Sequence, residues 1–144
     1  MVMDLYTDGA CKGNPGPGGW GVVIIQDGEQ VNEIYGGEFN TTNNRMELAA
    51  VINGLRSVTD ILDVRINTDS MYVKNGITLW IKKWEENGWK TAAKKDVANK
   101  DLWVELQSLA RRRKITWNWV RGHSGNEGNE RADFLANKGV IDFC

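Results

Sequence analysis

Five short segments rich in β-branched and aromatic residues, the first three of them consecutive, constrain the fold of this 144-residue chain more than any other feature. Only a Gly/Pro cluster and the turn sequence Asp27-Gly28 separate the first three segments, which predicts antiparallel strands. Helical patterns precede each of the last two, which predicts crossover connections and parallel pairing. The predicted strands span residues 2–7, 20–25, 31–38, 64–68 and 115–120.

The connecting segments carry the periodicity of amphipathic helices. Apolar residues recur at i, i+3, i+4 and i+7 from Leu48 to Leu55, after Thr and Asn residues that could cap a helix, so we expect one over residues 42–57. Other helical segments are predicted at 71–75, 78–86, 101–111 and in a last helix with Ala132, Leu135, Ala136 and Gly139 on one side. The fold class is therefore α/β: a single domain, residues 1–144, with a mixed five-stranded sheet flanked by helices.

Positive charge is concentrated in one part of the chain, although the net charge is only -1. Between Trp80 and Arg121 there are eleven Lys and Arg residues against five Asp and Glu residues, and six of the seven tryptophans lie in the same segment. Cations mixed with flat rings suit phosphate attraction and contact with sugars or bases. Surface lysines around a tryptophan-rich core would explain part of the pattern equally well.

A basic protrusion is predicted at about residues 80–98, because residues 87–98 are polar and basic with little periodicity. We expect three of the tryptophans to be mostly core and three to lie near the surface. The expected core set is Trp103, Trp117 and Trp119, and the expected surface set is Trp80, Trp84 and Trp89.

The cellular setting follows from what the sequence lacks. It contains no apolar run of about 18 residues that could span a bilayer, and its first residues do not have the layout of a signal peptide. Cys11 and Cys144 match no zinc spacing, and we expect both to be free thiols. The expectation is a cytoplasmic protein without a membrane partner, and nothing in the sequence demands a dimer.

Four acidic residues are placed where they could meet. Asp8 ends the first predicted strand and Asp69 ends the fourth, so neighbouring parallel strands would project them side by side. Glu47 and Asp133 each lie beside the apolar stripe of their helix, which directs both toward the core side. Any one of these acids alone is more often a solvated or capping residue.

Four acids together indicate a metal site. Carboxylates repel one another, and burying them without cations would raise their pKa values or destabilise the fold. Mg²⁺ or Mn²⁺ resolves the conflict because hard cations prefer oxygen ligands. Two such ions about 3.5 to 4 Å apart would activate a water on one side of a phosphodiester and stabilise the leaving oxygen on the other. The predicted reaction is metal-assisted phosphodiester hydrolysis.

Two glycine-rich loops lie next to these acids in the sequence. His123, in Gly122-His123-Ser124-Gly125, precedes the helix that carries Asp133, which suits a role in proton transfer or product release, although a lone histidine is usually surface or core filler. Residues 9–19 lead into a strand instead of a helix and match neither a Walker loop nor a dinucleotide fingerprint. Binding of a nucleoside triphosphate is therefore disfavoured.

Read together, the motifs resemble ribonuclease H type 1 over essentially the whole chain, in order and in approximate spacing. The motifs are Thr7-Asp8-Gly9-Ala10-Cys11, Thr42-Asn43-Asn44-Arg45-Met46-Glu47, Thr68-Asp69-Ser70, and residues 122–125 running through Asn129-Glu130-Arg131-Ala132-Asp133. The resemblance implies the ribonuclease H-like fold and endonucleolytic hydrolysis of the RNA strand of an RNA/DNA hybrid with Mg²⁺ or Mn²⁺, leaving 5'-phosphate and 3'-hydroxyl ends.

The resemblance also implies residue roles. Asp8, Glu47, Asp69 and Asp133 would bind the metal ions, Glu47 would also sense a 2'-hydroxyl, and His123 would assist turnover. Cys11, Asn14, Asn43 and Asn44 would line the groove for the hybrid, and Thr42 with Asn99 would hold a DNA phosphate. The substrate-gripping protrusion would consist of Trp80, Trp84 and Trp89 with Lys82, Lys83, Lys90, Lys94 and Lys95.

Two features depart from the pattern expected of the family. Asn40 stands where members often carry arginine, and Glu85-Glu86 follow Trp84 where a basic pair is common. Both departures remove positive charge, so we expect substrate binding that is weaker and less sensitive to salt than in a strongly basic relative.

Two rival functions remain open from the sequence alone. Another nuclease with clustered acids, such as a 3'-5' exonuclease or an integrase-like transferase, would lack the tryptophan-rich insertion. A non-catalytic hybrid-binding module would not need all four acids.

Overall fold

The computed structural model describes residues 2–58, 60–61, 63–120 and 127–144. Its centre is one five-stranded sheet with the spatial order β3-β2-β1-β4-β5. β1 pairs antiparallel with β2, which pairs antiparallel with β3, while β1–β4 and β4–β5 are parallel. The predicted mixed sheet is therefore confirmed. The strands are β1 (Met3–Cys11), β2 (Gly16–Gln26), β3 (Glu29–Thr41), β4 (Asp63–Thr68) and β5 (Lys114–Trp119).

The first three strands are longer than the apolar pattern predicted. The pairing of β1 with β2 continues past the apolar residues, through Gly9 opposite Trp20 to Cys11 opposite Gly18. Asp8 therefore lies inside β1, and the prediction that it ends the strand was wrong. Backbone hydrogen bonds extend the ladder here, and small residues leave no apolar alternation by which the sequence could reveal it.

Helices cover both faces of the sheet. The prediction of two separate short helices over residues 71–86 was wrong, because a π-helical turn (Gly76–Trp80) joins them into one helical run. A Cβ at Gly76 would lie 2.0 Å from the ring of Trp103, so glycine lets this turn pass over the buried indole. The helices are α1 (Asn43–Ser57), α2 (Met71–Asn75), α3 (Ile81–Glu86), α4 (Lys100–Ala110) and α5 (Glu127–Phe143).

The main core lies between the sheet and α1, with α4 packed against α1. On the opposite face α5 packs against β1, β2 and β3. Glycines allow that helix to approach closely, since a Cβ at Gly19 would lie 2.0 Å from the carbonyl oxygen of Ala136. This packing brings the first turns of α5 over β1 and thus next to the strand that carries Asp8.

The tryptophans follow the prediction only in part. Trp103 is fully buried, as expected, and Trp117 and Trp119 are half-buried with stacked rings against the core. The three candidates for the surface, Trp80, Trp84 and Trp89, are half-buried as well, and Trp84 and Trp89 also pack against the core. The protrusion folds back on itself through the amide of Trp89, which donates to the carbonyl oxygen of Trp84 at 2.7 Å.

No helix within the described ranges is both long and apolar enough to cross a membrane. Cys11 is half-buried and Cys144 exposed, and both are free thiols, as predicted.

Candidate active site

Three acidic side chains from distant parts of the sequence meet at one place. Asp8 comes from β1, Glu47 from the first turns of α1, and Asp69 from the residue after β4. Each offers a carboxylate oxygen that lies within 4.8 Å of the other two. Asp8 and Glu47 are buried and Asp69 is half-buried. The parallel pairing of β1 and β4 puts Asp69 beside Asp8, as the sequence predicted.

Gly9 makes this close approach possible. A Cβ at this position would lie 2.5 Å from the backbone nitrogen of Glu47, so any other residue would push α1 away from β1. The amide of Gly9 donates to Asp8 Oδ1 at 2.9 Å and to Glu47 Oε1 at 3.2 Å. One backbone amide thus orients two of the three acids.

Asp133 lies beside the acid cluster, which we define as Asp8, Glu47 and Asp69. Its side chain, on α5, is within hydrogen-bonding contact of Asp8, and both its proximity and its charge raise the pKa of Asp8. Asn137, one helical turn later, donates to the carbonyl oxygen of Asp133 at 2.9 Å and to its Oδ1 at 3.4 Å. Asp133 is therefore near Asp8 but outside the compact group of three.

Burial and mutual repulsion raise the pKa values in the cluster. Loss of hydration, followed by the charge of Asp69 and the contact with Asp133, raises the pKa of Asp8 to about 8. Burial, with the charges of Asp8 and Asp69, raises the pKa of Glu47 well above its usual value. Without a cation the cluster therefore retains protons at neutral pH.

The cluster fits a hard divalent cation. Glu47 Oε2 is buried and has no hydrogen-bond partner among the described residues, so it presents an unsatisfied oxygen inside the site. Three carboxylates without a Cys or His ligand suit Mg²⁺ or Mn²⁺ better than zinc. A bound cation would restore the charged form of the acids and satisfy the buried oxygen.

The residues predicted to line a groove lie around the start of α1. Cys11 Sγ is 3.5 Å from each of two carbonyl oxygens, those of Gly16 and Thr41. Asn14 Oδ1 accepts a hydrogen bond of 3.2 Å from the amide of Asn43, which ties the β1–β2 loop to the helix. Asn43 and Asn44 are exposed in the first turn of α1, where they can contact a ligand.

A second polar group consists of Thr42, Arg45 and Asn99, and we call it the phosphate pocket after the DNA phosphate that the family resemblance predicts for Thr42 and Asn99. Thr42 is the N-cap of α1, and its Oγ1 accepts from the amide of Arg45 at 3.2 Å. Arg45 Nη1 donates to Asn99 Oδ1 at 3.3 Å, and the guanidinium also forms a bidentate ion pair with Asp101 at 3.0 and 2.8 Å. The sequence indicated Thr42 and Asn99 but not Arg45, whose position depends on a contact 54 residues away.

The tryptophans of the protrusion form a row of rings. Trp80 and Trp84 have ring centroids 5.7 Å apart, and Trp84 and Trp89 have theirs 6.1 Å apart. Beside them lies a cavity of about 570 Å³ lined by Lys83, Trp84, Asn87, Lys90, Thr91, Ala92 and Lys94. Lys82, Lys83, Lys94 and Lys95 are exposed, whereas Lys90 is ion-paired with Asp96.

Three positions complete the predicted set. His123 lies outside the described residues. Asn40 is exposed near the end of β3. Glu85 accepts a hydrogen bond from Gln107 on α4, so its side chain is held against the body of the protein.

Comparison with known proteins agrees with this architecture. The ribonuclease H family model matches residues 1–141. Ribonuclease HI of Neisseria meningitidis serogroup A is 59% identical over 143 residues, which cover 99% of this chain and 98% of the relative.

Solved structures of ribonucleases H also resemble this chain in fold. LC9-RNase H1, described as a type 1 RNase H with the type 2 active-site motif, matches with a TM-score of 0.84 and 33% identity over 99% of this chain and 74% of that one. LC11-RNase H1 in complex with an RNA/DNA hybrid matches with a TM-score of 0.74 and 26% identity over 96% of both chains. With the fold, the acid cluster and a relative 59% identical over nearly its whole length in agreement, the chain belongs to the ribonuclease H family.

Proposed function

We propose that this ribonuclease H cuts the RNA strand of RNA/DNA hybrids endonucleolytically and leaves 5'-phosphate and 3'-hydroxyl ends. The observation that carries the proposal is the meeting of Asp8, Glu47 and Asp69 at one buried place in a chain of this family. The complex of LC11-RNase H1 with an RNA/DNA hybrid supports the same substrate class.

The metal-binding residues in this proposal are Asp8, Glu47, Asp69 and Asp133, which hold two ions, Mg²⁺ or alternatively Mn²⁺, when substrate is bound. Such ions supply an activated water and stabilise the leaving oxygen. Asp8 and Glu47 lose the protons that burial lets them retain, since the cation favours their charged forms. The amide of Gly9 keeps both carboxylates oriented while this happens.

Substrate contacts follow from the surroundings of the acid cluster. Glu47 recognises a 2'-hydroxyl, and Cys11, Asn14, Asn43 and Asn44 line the groove for the hybrid. Thr42 and Asn99 hold a phosphate of the DNA strand. A 2'-hydroxyl sensor combined with a separate DNA contact distinguishes a hybrid from both pure duplexes.

The basic protrusion adds affinity. Lys83 and its neighbouring lysines attract backbone phosphates, and Trp80, Trp84 and Trp89 offer ring edges to sugars. Since Trp84 and Trp89 also pack against the core, substituting either would reduce stability as well as binding. His123 assists proton transfer or product release from its loop.

One assay tests the proposal and its rivals together. Labelled RNA is offered single-stranded, in an RNA duplex and paired to DNA, with and without Mg²⁺. The expected result is internal cleavage of the hybrid alone, only with metal. The same hybrid is also offered with both ends of the RNA blocked. If blocking the ends prevents cleavage, the protein is an exonuclease. If the protein binds the hybrid without cleaving it at any metal concentration, it is a binding module.

We further propose that the protein works as a monomer in the cytoplasm without an obligate protein partner. Light scattering at assay concentration should give the mass of one 16.2 kDa chain. Specific activity should not change on dilution. A fall in specific activity with dilution would contradict a working monomer.

A further inference from the structure

The hydroxyl of Tyr72 ties the short helix that follows Asp69 to the phosphate pocket. Tyr72 lies in α2, three residues after Asp69, and its hydroxyl oxygen accepts two hydrogen bonds. Asn99 Nδ2 donates to it at 3.0 Å, and the buried Trp103 Nε1 donates at 2.9 Å. The ring itself packs against Trp80 and Trp103, with centroids 5.8 and 5.4 Å away. This tyrosine is thus held on three sides and presents a fixed acceptor to Asn99.

These contacts determine which way the amide of Asn99 points. Arg45 has only donors, so the atom of Asn99 facing it at 3.3 Å must be Oδ1. Nδ2 is then on the side of Tyr72 and uses one of its two hydrogens there. In the part of the chain that the structure describes, the other hydrogen of Nδ2 has no acceptor and can donate to a ligand. Arg45, which can only donate, therefore prevents the amide from flipping, and the Tyr72 hydroxyl accepts from the Nδ2 side.

The backbone conformation of Asn99 is consistent with this orientation of its side chain. Its φ is 60°, in the left-handed region, and it stands at the N-cap of α4 without a side-chain hydrogen bond to that helix. The usual role of an asparagine at this place is to cap the helix, yet here the side chain is directed to Arg45 and Tyr72 instead. Asn99 also lines an open cavity of about 520 Å³ together with Lys100 and Asp101, which leaves room for a ligand beside it.

We propose that Tyr72 is a positioning residue for substrate binding: its hydroxyl orients the Asn99 amide so that one N–H of that amide is presented to a phosphate of the DNA strand. The proposal rests on the proposed function, in which Asn99 binds that phosphate. Because the same short helix begins directly after Asp69, with Ser70 as its N-cap, it also fixes the spacing between the acid cluster and the phosphate pocket.

The first test is Tyr72→Phe, which removes the hydroxyl and keeps the ring contacts. KM for an RNA/DNA hybrid should rise about five- to tenfold, as expected when a hydrogen bond to a charged group is misaligned, while kcat stays within about twofold. The matched control is Tyr35→Phe, which removes another tyrosine hydrogen bond, 2.6 Å to Asp142 between β3 and α5, and should leave both constants unchanged.

A stability control separates positioning from folding. Leu55→Ala creates a cavity in the core at the end of α1 that lies away from Thr42 and Arg45, so the protein should be clearly less stable. KM should nevertheless stay near the parent value, because Tyr72 still holds Asn99. If KM rises in proportion to lost stability across both variants, Tyr72 has only a structural role and the proposal is overturned.

The deciding experiment uses hybrids that each carry one uncharged methylphosphonate in the DNA strand. One position should raise KM for the parent enzyme, and at that position the effects of Tyr72→Phe and Asn99→Ala should both disappear. If Asn99→Ala raises KM but Tyr72→Phe does not, the positioning role fails and the DNA contact stands. If no methylphosphonate and neither variant changes KM, the DNA contact of the proposed function is itself wrong.

Discussion

The acid cluster and the phosphate pocket both depend on the start of α1 but have opposite electrostatics. In the cluster, like charges are buried together, and burial raises the pKa values of Asp8 and Glu47. In the pocket, Arg45 faces Asp101, whose contact raises the pKa of the guanidinium and lowers that of the carboxyl. The acid cluster opposes folding until a cation binds, whereas the charges of the phosphate pocket are balanced before any ligand binds.

This difference separates two tasks within one helix turn. The pocket is charge-balanced and hydrogen-bonded before any ligand binds, which suits the proposed binding of a DNA phosphate without rearrangement. The cluster has one buried oxygen without a partner among the described residues, Glu47 Oε2, beside carboxyl groups that repel one another, so a divalent cation would stabilise it. Residues that reduce stability are therefore concentrated where the chemistry is performed. Four predictions test this contrast.

The largest effect is expected for Asp8→Asn. Removing a metal-binding carboxylate should lower kcat by about a thousandfold or more. The metal-free variant should at the same time be more stable than the parent at pH 8, because one buried like charge is gone. Urea unfolding in EDTA beside a cleavage assay measures both. Loss of activity together with loss of stability would contradict the repulsion argument.

Gly9→Ala should give the next largest effect, on stability. The added Cβ would overlap the backbone nitrogen of Glu47 at 2.5 Å, which cannot be relieved by moving a side chain. We expect a loss of about 3 kcal/mol or more in the free energy of unfolding. The matched control is Gly28→Ala, at a turn with φ of 82° and nothing within 4 Å, which should lose only about 1 kcal/mol. Equal losses would show that the close approach is unimportant.

The two regions should respond oppositely to pH. The folded cluster keeps protons that the unfolded chain releases. Its contribution to the free energy of unfolding is therefore fully present below the unfolded pKa of about 4 and is lost as the pH rises toward 8. The slope should be about 1.4 kcal/mol per pH unit for each retained proton. Unfolding in EDTA from pH 5 to pH 9 measures it.

Magnesium and the pocket provide the contrast. Saturating Mg²⁺ should flatten this slope, because the bound cation favours the charged carboxylates. Asp101, with its pKa lowered by Arg45, contributes stability above its unfolded pKa of about 4 that is lost as pH falls, so Asp101→Asn should alter only the limb below that pH, measured by extending the scan to about pH 2. A metal-free profile that rises between pH 6 and pH 8 would be inconsistent with the raised pKa of Asp8.

The smallest effect concerns salt. Introducing a cation two residues before Thr42 with Asn40→Arg should tighten hybrid binding and steepen the dependence of log Kd on log salt by about one ion. Asn32→Arg, exposed on the same strand but at its other end, is the control and should change the slope less. If Asn40→Arg and Asn32→Arg change the salt slope equally, the absence of a positive charge at position 40 has no specific effect on hybrid binding.

Much of the site was predictable because local patterns determine it. Asp8 and Asp69 follow from strands whose parallel pairing the connection lengths imply, and Glu47 follows from its place on the stripe of α1. Arg45 and Tyr72 were missed because their roles exist only through Asn99 and Asp101, more than 25 residues away along the chain. Periodicity carries no information on such contacts.

Other tertiary features were missed for the same reason. The loop predicted over residues 87–98 is confirmed, but the sequence did not reveal that the ring of Trp84 contacts Trp103 and that the ring of Trp89 contacts Trp84. The extension of β1 to Cys11 depends on backbone pairing with a glycine-rich segment, which no side-chain alternation reveals. Tertiary contacts, not local propensity, decide both regions.

The central claim is that the acid cluster binds the catalytic cations. Anomalous scattering from crystals grown with Mn²⁺ and a non-cleavable hybrid tests it most directly. We expect peaks at coordination distance, about 2.1 Å, from oxygens of Asp8, Glu47 and Asp69. Saturating Mn²⁺ with no peak at these carboxylates would contradict the account.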